Sequence, residues 1–480
     1  MIDRIVIKYK KIPLPVKASF WFIISSCIQK GIQIITTPIY TRLLSANQYG
    51  EYSVFLSWIE ILAVFATLDI FYSGYNVGMN KFLGDRERYT ASMHGLCSTI
   101  TTVLFLIFLI WPNIWCNTLG MSRELIMLLF VYMYIMPAFQ FWSAKQRFEY
   151  KYIALIIITT IISVGTILLG IIFAMNFSEK GVAVILAKVV GEGIIAIPLY
   201  IYSVKRIGLL FNKYYWKYAL KFNIPLIPHY LSTMILNHSD KIMIQVLVGQ
   251  SYAAIYSVAY SISVLMTIIQ TAINNAFIPW LFKKLKKEEY KEISSIANGI
   301  IILVGILNLF LVAFAPEIIY VMAPSEYQSA IWVIPPVAMG IFLTSVYGMF
   351  VNVEFYYESN KLTAIASFMA AVINIVLNYI FIKRFGFIVA GYTTFLCYLL
   401  LAIFHYYAMK YICKKEIGDI KIYNIKQIIL IISIIIGIAI ILQIMYKETF
   451  IRYGFVLVIL MIIVIRKDII FNILLEMKKK

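Results

Sequence analysis

The stretch LLSANQYGEYSVFLSW, residues 43–58, recurs in degenerate form as LVGQSYAAIYSVAYSI, residues 247–262. At one offset of 204 residues the two copies share a leucine, a tyrosine, two serines and a valine. The identical pairs are Leu43 and Leu247, Tyr52 and Tyr256, Ser53 and Ser257, Val54 and Val258, and Ser57 and Ser261. The repetition predicts two related halves, with chance similarity between apolar segments as the alternative interpretation.

The composition around the repeat is that of an integral membrane protein. Hydrophobic residues make up 62% of the 480 residues, charged residues 14%, and the mean hydropathy is +0.86. Soluble domains contain only about 45–50% apolar residues. Because a helix needs about 20 mainly apolar residues to cross a bilayer, the sequence predicts fourteen spans and leaves no room for a sizeable soluble domain. The predicted spans are 18–41, 52–74, 92–111, 124–143, 152–175, 182–203, 222–247, 252–280, 293–315, 330–352, 362–382, 387–409, 424–445 and 450–465.

The positive charges are distributed unevenly between the connections. With the N-terminus inside, 32 of the 42 Lys and Arg residues lie on the cytoplasmic side, 8 on the outer side, and Lys30 and Lys188 within spans. This bias follows the positive-inside rule, so the net charge of +19 needs no nucleic-acid partner. We therefore expect a multi-pass membrane protein with both termini in the cytoplasm. The first apolar segment is too long for a signal peptide and is expected to be retained.

The repeat and the spans together predict the organisation. Six spans separate the two copies, an even number, so both copies have the same orientation across the membrane. We expect an all-α integral membrane protein of about 14 transmembrane helices, with two six-helix lobes in a parallel pseudo-two-fold repeat and two further C-terminal helices. The predicted parts are a cytoplasmic N-terminal segment 1–17, an N-lobe 18–203, a cytoplasmic linker 204–221, a C-lobe 222–409, a cytoplasmic linker 410–426, helices 13 and 14 at 427–465, and a basic cytoplasmic tail 466–480.

Polar side chains inside the spans are the candidate site residues. A charge at the bilayer centre costs about 2.5–3.5 kcal/mol on insertion scales, so such groups face a bundle interior or a watery cavity. Gln33 and Asn237 correspond at the repeat offset and present two amides at matching depth. The candidates are Lys30 and Gln33 in the first span, Glu60 and Asp69 in the second, Lys188 and Glu192 in the sixth, and Asn237, Asp240 and Lys241 in the seventh.

Two of these sets leave alternatives open. Lys188 and Glu192 lie four residues apart, and they either neutralise one another along their helix or take part in binding. Asp240 and Lys241 lie toward the outer end of their span, and they either reach the headgroups by snorkelling or face the interior. Lys30 is near the middle of its span, which favours a role in a cavity.

The sequence lacks the motifs of other chemistries. It contains no G-x-x-x-x-G-K-[ST] nucleotide loop, no H-E-x-x-H metal motif and no G-x-S-x-G nucleophile. The four histidines and the five cysteines are scattered, without the spacing of a metal site or a disulfide framework. An enzyme is therefore unsupported, and we expect a transporter without a metal.

Three stretches resemble one bacterial family over essentially the full chain. They are TPIYTRLLSANQYGEYSV at 37–54, NIPLIPHYLSTMILNHSDKIMI at 223–244, and NIVLNYIFIKRFGFIVAGY at 374–392. Together they look like the bacterial polysaccharide-export family, which includes the Wzx-type O-antigen flippases of the multidrug/oligosaccharidyl-lipid/polysaccharide exporter superfamily. The fourteen predicted spans depart from the twelve of many O-antigen flippases and equal the number in the lipid II flippase type.

The resemblance implies a cargo and a mechanism. The cargo would be an undecaprenyl-pyrophosphate-linked oligosaccharide, an O-antigen or similar surface-glycan repeat unit, carried to the periplasmic leaflet by lobes that rock around a cationic cavity. A polysaccharide polymerase and a chain-length regulator would be partners, beside membrane lipids, and the only cofactor would be a coupling proton or sodium ion. We expect Lys30, Lys188 and Lys241 to contact the pyrophosphate or acidic sugars. The sugar path would be lined by Gln33, Tyr52, Asn237 and Tyr256, and charge balance or ion coupling would come from Glu60, Asp69, Glu192 and Asp240.

Two other functions remain as alternatives. A cation-coupled multidrug or metabolite exporter of the same superfamily would share the lobes and the repeat. A membrane polysaccharide polymerase or ligase would be expected to carry a large outer loop, whereas the predicted outer connections, such as 176–181 and 323–328, are short.

Overall fold

The computed structural model describes residues 13–71, 74–207, 210–418 and 420–465. The structure is 89% helical, and the described ranges contain no strand. This confirms the predicted all-α class. The predicted tail 466–480 and residues 1–12 of the predicted N-terminal segment lie outside the described residues.

The membrane spans agree with the prediction in kind. In the described ranges, twelve helices are long and apolar enough to cross a membrane, and each coincides with a predicted span. The other two predicted spans coincide with Ile227–Leu247, whose polar residues lower its hydropathy, and with Thr449–Ile465, which is shorter and apolar. The multi-pass membrane class is therefore confirmed, while the number fourteen stays a prediction.

The chain divides into two compact units, Met1–His238 and Ser239–Lys480. The first contains α1 (Leu14–Leu43), α2 (Ala46–Thr67), α3 (Gly74–Lys81), α4 (Arg86–Ile110), α5 (Pro112–Leu119), α6 (Arg123–Phe148), α7 (Tyr152–Asn176), α8 (Lys180–Ile207) and α9 (Lys213–Asn223). Helix α10 (Ile227–Leu247) contains the division. The second contains α11 (Gln250–Ser263), α12 (Leu265–Lys286), α13 (Lys291–Ala313), α14 (Ala315–Met322), α15 (Ile334–Tyr356), α16 (Asn360–Phe385), α17 (Val389–Glu416), α18 (Ile425–Ile444) and α19 (Thr449–Ile465).

The repeated stretch has the same local structure in both units. Helix α1 ends at Leu43 and α10 at Leu247, and the following helices begin at Ala46 and Gln250, so both boundaries keep the offset of 204 residues. The last turn also repeats, because the backbone N–H of residue 44 donates to residue 40 and that of residue 248 to residue 244, both at 2.9 Å. The repeat is therefore a helix–turn–helix unit that occurs twice.

The two copies begin their second helix with different caps. Ser45 caps α2 through a reciprocal pair of hydrogen bonds with Gln48, which satisfies free N–H groups at the helix start. Gly249 precedes α11 and has a φ of 123°, a value that favours glycine. The helix that follows the turn therefore begins with a capping box in the first copy and with a glycine of positive φ in the second.

Each unit has its own apolar core. In the first, Phe108, Trp115 and Phe130 pack against one another, and the Trp58 indole donates to the carbonyl of Leu119 at 3.0 Å. In the second, α15 is 78% buried along its span, a larger share than in any other of the twelve apolar helices. Polar groups on the helices that surround these cores are therefore held at fixed positions within each unit.

Candidate functional site

An ion pair lies in the middle of α8. Lys188 Nζ is 2.6 Å from Glu192 Oε1, and the two side chains are only 20% and 18% exposed. At about 1.5 Å of rise per residue, the pair lies about 12–18 Å from the start of α8, near the middle of a bilayer core of about 30 Å. The pairing that the sequence left open as mutual neutralisation is therefore present.

Side chains from other helices complete this cluster. The Tyr132 hydroxyl of α6 donates to Glu192 Oε2 at 2.8 Å, and its ring centroid lies 5.3 Å from Lys188 Nζ. Glu60 of α2 is exposed but lies within electrostatic range of Lys188 and Tyr132. Tyr52, half-buried on α2, lies within electrostatic range of Glu192. The first unit thus brings four predicted residues and Tyr132 into one group, which we call the Lys188 cluster: Tyr52, Glu60, Tyr132, Lys188 and Glu192.

Other candidates of the first unit lie elsewhere or are only partly described. Lys30 is half-buried on α1, with Cys27 as an electrostatic neighbour. The side chain of Gln33 lies outside the described residues. Asn237 is half-buried on α10. The roles assigned to these three from the sequence stay predictions.

Asp69 differs from its predicted position. Helix α2 ends at Thr67, because Leu68 and Asp69 have φ values of 52° and 45°, which cannot continue a right-handed helix. Asp69 therefore lies in the following turn rather than inside the predicted span 52–74. Its side chain is nonetheless buried, its backbone N–H donates to Thr67 Oγ1 at 3.3 Å, and its Oδ2 has no hydrogen-bond partner among the described residues.

The second unit encloses Asp240 in a network of neutral donors. Tyr256 of α11 and Thr394 of α17 donate to Asp240 Oδ2 at 2.5 and 2.6 Å, and Asn378 of α16 donates to Oδ1 at 2.7 Å. The carboxyl is 2% exposed and Tyr256 is fully buried. Asp240 therefore faces the protein interior. Its neighbour Lys241 is half-buried, with Nζ 4.8 Å from the ring centroid of Tyr260.

The network extends to residues that were not among the candidates. Asn374 accepts from Ser239 at 3.0 Å and donates to Thr394 at 3.1 Å, and Thr393 donates to Asn378. We call Ser239, Asp240, Tyr256, Asn374, Asn378, Thr393 and Thr394 the Asp240 network. The sequence signal was the pair Asn374 and Asn378, four residues apart in an apolar helix.

Chemically, the Asp240 network is a concentration of oxygen atoms around one acid. Carboxylate, amide and hydroxyl oxygens are the ligands that hard cations prefer. The described hydrogen-bond partners of Asp240 carry no charge that would neutralise a carboxylate. Since an isolated buried charge is costly, the arrangement suits a group that takes up a proton or a small cation.

Two further polar contacts of buried side chains give no signal in the sequence. Glu354 is fully buried and lies 2.8 Å from Nδ1 of His405, and it also accepts a hydrogen bond from Thr363 at 3.0 Å. Arg452, only 1% exposed, contacts the carboxylate of Glu317. Both contacts join helices far apart in sequence, so helical periodicity gave no signal for them.

A family model described as "Polysaccharide biosynthesis protein" matches residues 16–285, more than half of the chain. The chain belongs to this family. The match confirms the resemblance inferred from the sequence stretches. No curated protein matches the chain significantly.

Solved structures similar to this member of the polysaccharide biosynthesis protein family establish its fold. The lipid II flippase MurJ in an inward closed conformation has a TM-score of 0.65 at 13% identity, covering 90% of this chain and 99% of that chain. An inward-facing multidrug resistance MATE transporter of the MOP superfamily has a TM-score of 0.63 at 14% identity, covering 81% and 95%. An outward-facing one has a TM-score of 0.53 at 15% identity, covering 84% and 96%. The family member therefore has a fold like that of the lipid II flippase MurJ and the MATE transporters.

Proposed function

We propose that this protein is a flippase that moves an undecaprenyl-pyrophosphate-linked oligosaccharide, an O-antigen or similar surface-glycan repeat unit, from the cytoplasmic to the periplasmic leaflet. It would act in the bacterial inner membrane by alternating access, with both termini in the cytoplasm. The family match and the MOP fold support a role in moving a lipid-linked glycan rather than in making one.

The observation that carries the proposal is the Lys188 cluster. A lysine at this depth is costly unless it is paired or faces a polar cavity, and here it is paired with Glu192 at 2.6 Å. Phosphate oxygens bind lysine strongly in a low-dielectric setting. A diphosphate that reaches the cluster would compete with Glu192 for the same ammonium group.

Tyr132 gives this exchange a physical basis. Its hydroxyl already donates to Glu192, at the oxygen that Lys188 does not contact. When Lys188 turns to a phosphate, Glu192 keeps this hydrogen bond and does not become a bare buried charge. Lys188 and Glu192 would thus compensate each other's charge without cargo, and the Lys188 ammonium group would turn to the phosphate when the diphosphate arrives.

Besides Lys188, Lys30 and Lys241 are further candidates for contact with the phosphates. Tyr52, Asn237 and Gln33 are the candidates for the sugar path. Hydroxyl and amide groups can form hydrogen bonds with the hydroxyls of a sugar without burying an additional charge. Tyr256 is fully buried and donates to Asp240. Its part would therefore be in coupling instead of direct contact with sugar.

For coupling, we propose that the Asp240 network takes up a proton or a sodium ion. The donors come from α11, α16 and α17, so occupancy would change the hydrogen bonds that join three helices of the second unit. Carboxylate, hydroxyl and amide oxygens are ligands that suit a hard cation such as sodium. Glu60 and Asp69 would contribute charge balance in the first unit.

A vesicle assay tests the flippase proposal directly. The purified protein is reconstituted into liposomes that contain a fluorescent polyprenyl-diphosphate oligosaccharide, and its transfer between leaflets is followed with a membrane-impermeant quencher. Protein-dependent transfer is expected, together with accumulation of cytoplasm-facing lipid-linked glycan in cells that lack the gene. No transfer by folded protein, with normal surface glycan in those cells, would refute the proposal.

A cation-coupled multidrug or metabolite exporter is the second candidate. The TM-score of 0.63 with a MATE transporter is close to that with the lipid II flippase, and the Asp240 network would suit ion-driven export equally well. Growth in toxic organic cations with and without the gene separates the two. An exporter protects the cells, whereas a glycan flippase leaves their tolerance unchanged.

A further inference from the structure

The linker helix α9 is docked on the first unit through one of its faces. The Tyr215 hydroxyl donates to Asp85 at 3.3 Å, the Trp216 indole donates to the carbonyl of Ser92 at 2.9 Å, and the ring of Tyr215 packs 4.8 Å from that of Phe82. Tyr215, Ala219 and Asn223 are buried. These contacts hold the helix firmly against α3 and α4.

The segment before the helix is fixed equally closely. A Cβ added at Gly95 would lie 1.9 Å from the carbonyl oxygen of Leu210, so only glycine allows this approach. Asn212 then caps α9, and its side chain accepts from the N–H groups of Tyr214 and Tyr215. The helix therefore presents its remaining faces outward in a defined orientation.

One outward face is an apolar stripe. Phe211 and Ile224 are 61% and 51% exposed, and Trp216 and Leu220 lie between them. These residues line an open cleft of about 620 Å³ whose surface is almost entirely apolar. Phe211 packs against Trp216 with centroids 4.8 Å apart. The linker therefore presents an exposed apolar surface along this side of α9.

A row of lysines borders the same cleft. Lys213, Lys217 and Lys221 follow each other at intervals of four residues, and all three are exposed. None of them forms an ion pair with a residue in the part of the chain that the structure describes. At about 1.5 Å per residue the row is about 12 Å long. The cleft therefore has an uncompensated positive edge.

We propose that this face of α9 binds anionic phospholipids of the cytoplasmic leaflet, with an acyl chain against the apolar stripe and the lysine row at the phosphates. A helix with aromatic and leucine residues on one face and lysines beside them lies in the membrane interface. Anionic headgroups attract such lysines. The α9 helix is then a lipid contact that anchors the linker, on a surface separate from the Lys188 cluster.

The shape of the charge favours phospholipids over the diphosphate of the proposed cargo. A row about 12 Å long spans more than one headgroup, whereas a single diphosphate would be held best by converging cations. The apolar stripe can likewise contact the acyl chains of several neighbouring phospholipids. The surface contact is expected to weaken as salt is added, because exposed charges are screened.

The test is photocrosslinking at the cleft. The full-length protein with p-benzoylphenylalanine in place of Phe211 is placed in nanodiscs with equal amounts of phosphatidylglycerol and phosphatidylcholine, and crosslinked lipids are identified by mass spectrometry. We expect a preference for phosphatidylglycerol of at least about fivefold, the contribution of a single lysine near an anionic surface. Replacing Lys213, Lys217 and Lys221 together with Gln should bring the ratio close to one.

Two further variants make the result specific. Replacing the three lysines with Arg keeps the charge and should keep the preference, which also controls for folding. Replacing Lys410, Lys414 and Lys421 with Gln removes the same charge from exposed positions of the second unit and should change nothing. A ratio near one in the unchanged protein, or an unchanged ratio in the Gln variant, overturns the proposal.

A last arm separates the two lipid sources. Polyprenyl diphosphate is added at a small fraction of the phosphatidylglycerol, and preferential crosslinking to it would overturn phospholipid as the occupant. None of these measurements uses transport. Their outcome therefore bears on this surface alone and leaves the flippase proposal to its own test.

Discussion

Lys188 Nζ lies 2.6 Å from Glu192 Oε1, one turn later on the same membrane-spanning helix, with Tyr132 bonded to the other oxygen of the acid. In lipid such a pair is stable only while both charges are present. The free energy of unfolding should therefore respond differently to the loss of one charge and to the loss of both.

Removal of one partner should destabilise the protein more than removal of both. Glu192→Gln leaves the Lys188 ammonium without its acid and should lower the free energy of unfolding by about 3 kcal/mol. The double variant Lys188→Met with Glu192→Met should lose clearly less stability, and it should abolish glycan transfer. Thermal melting of the purified protein and the vesicle assay measure the two effects. Equal melting of single and double variants would contradict the paired arrangement.

The proposed phosphate contact of Lys30 is tested by transfer rates. Lys30→Ala should greatly reduce glycan export while the protein still inserts, because a mid-span cation is lost from the cargo path. Lys151→Ala is the matched control, since Lys151 is 63% exposed and pairs with Glu149 in a connection between spans. Wild-type export by the Lys30 variant would remove it from the site.

The Asp240 network should make transport depend on the coupling ion. Asp240→Asn keeps the size of the side chain but removes the charge, so transfer should no longer respond to a sodium gradient or a pH gradient, whichever drives the wild type. Tyr256→Phe removes one donor to Oδ2, which should cost about 1–3 kcal/mol of stability. Transfer with an imposed gradient and thermal melting are the measurements. An unchanged gradient response in the Asn variant would exclude Asp240 from coupling.

The contact between Arg452 and Glu317 should hold the last helix in place. Glu317→Gln leaves a guanidinium that is 1% exposed without its acid, and about 3 kcal/mol or more should be lost. Hydrogen exchange in α18 and α19 should rise, while Glu326→Gln, an exposed acid nearby in sequence, should have no effect. Equal exchange in the two variants would mean that the apolar contacts of α19 suffice.

Gly95 should be the most sensitive glycine of the first unit. Gly95→Ala forces a methyl group against the Leu210 carbonyl, and such overpacking costs about 1–3 kcal/mol. Gly165→Ala is the control, because nothing lies within 4 Å of its added Cβ and alanine favours a helix by about 1 kcal/mol. Gly95→Ala should therefore lower the melting temperature and increase proteolytic cleavage near the linker. Gly165→Ala should raise the melting temperature slightly and leave that cleavage unchanged.

The predicted positions were most accurate where the physics is local. The helix–turn–helix boundaries at Leu43 and Leu247 match the repeat in the sequence because turn geometry depends on neighbouring residues. The Lys188–Glu192 pair follows from a spacing of four on one helix. Apolar residues continue past Asp69, and the sequence therefore predicts that it lies inside a span. In the structure, two residues with positive φ values end the helix before it.

The sequence by itself determined that the chain is a helical membrane protein with a repeated turn and paired charges at mid-depth, because insertion energy and helical spacing are properties of short segments. Only the tertiary structure decided that Tyr132 completes one cluster, that Asn378 and Thr394 enclose Asp240, and that the segment before α9 packs against Gly95. The physical reason is that helices in lipid are apolar on every side. The faces that pack together are selected by close packing between segments distant in sequence, and the hydropathy of a segment does not show which faces these are.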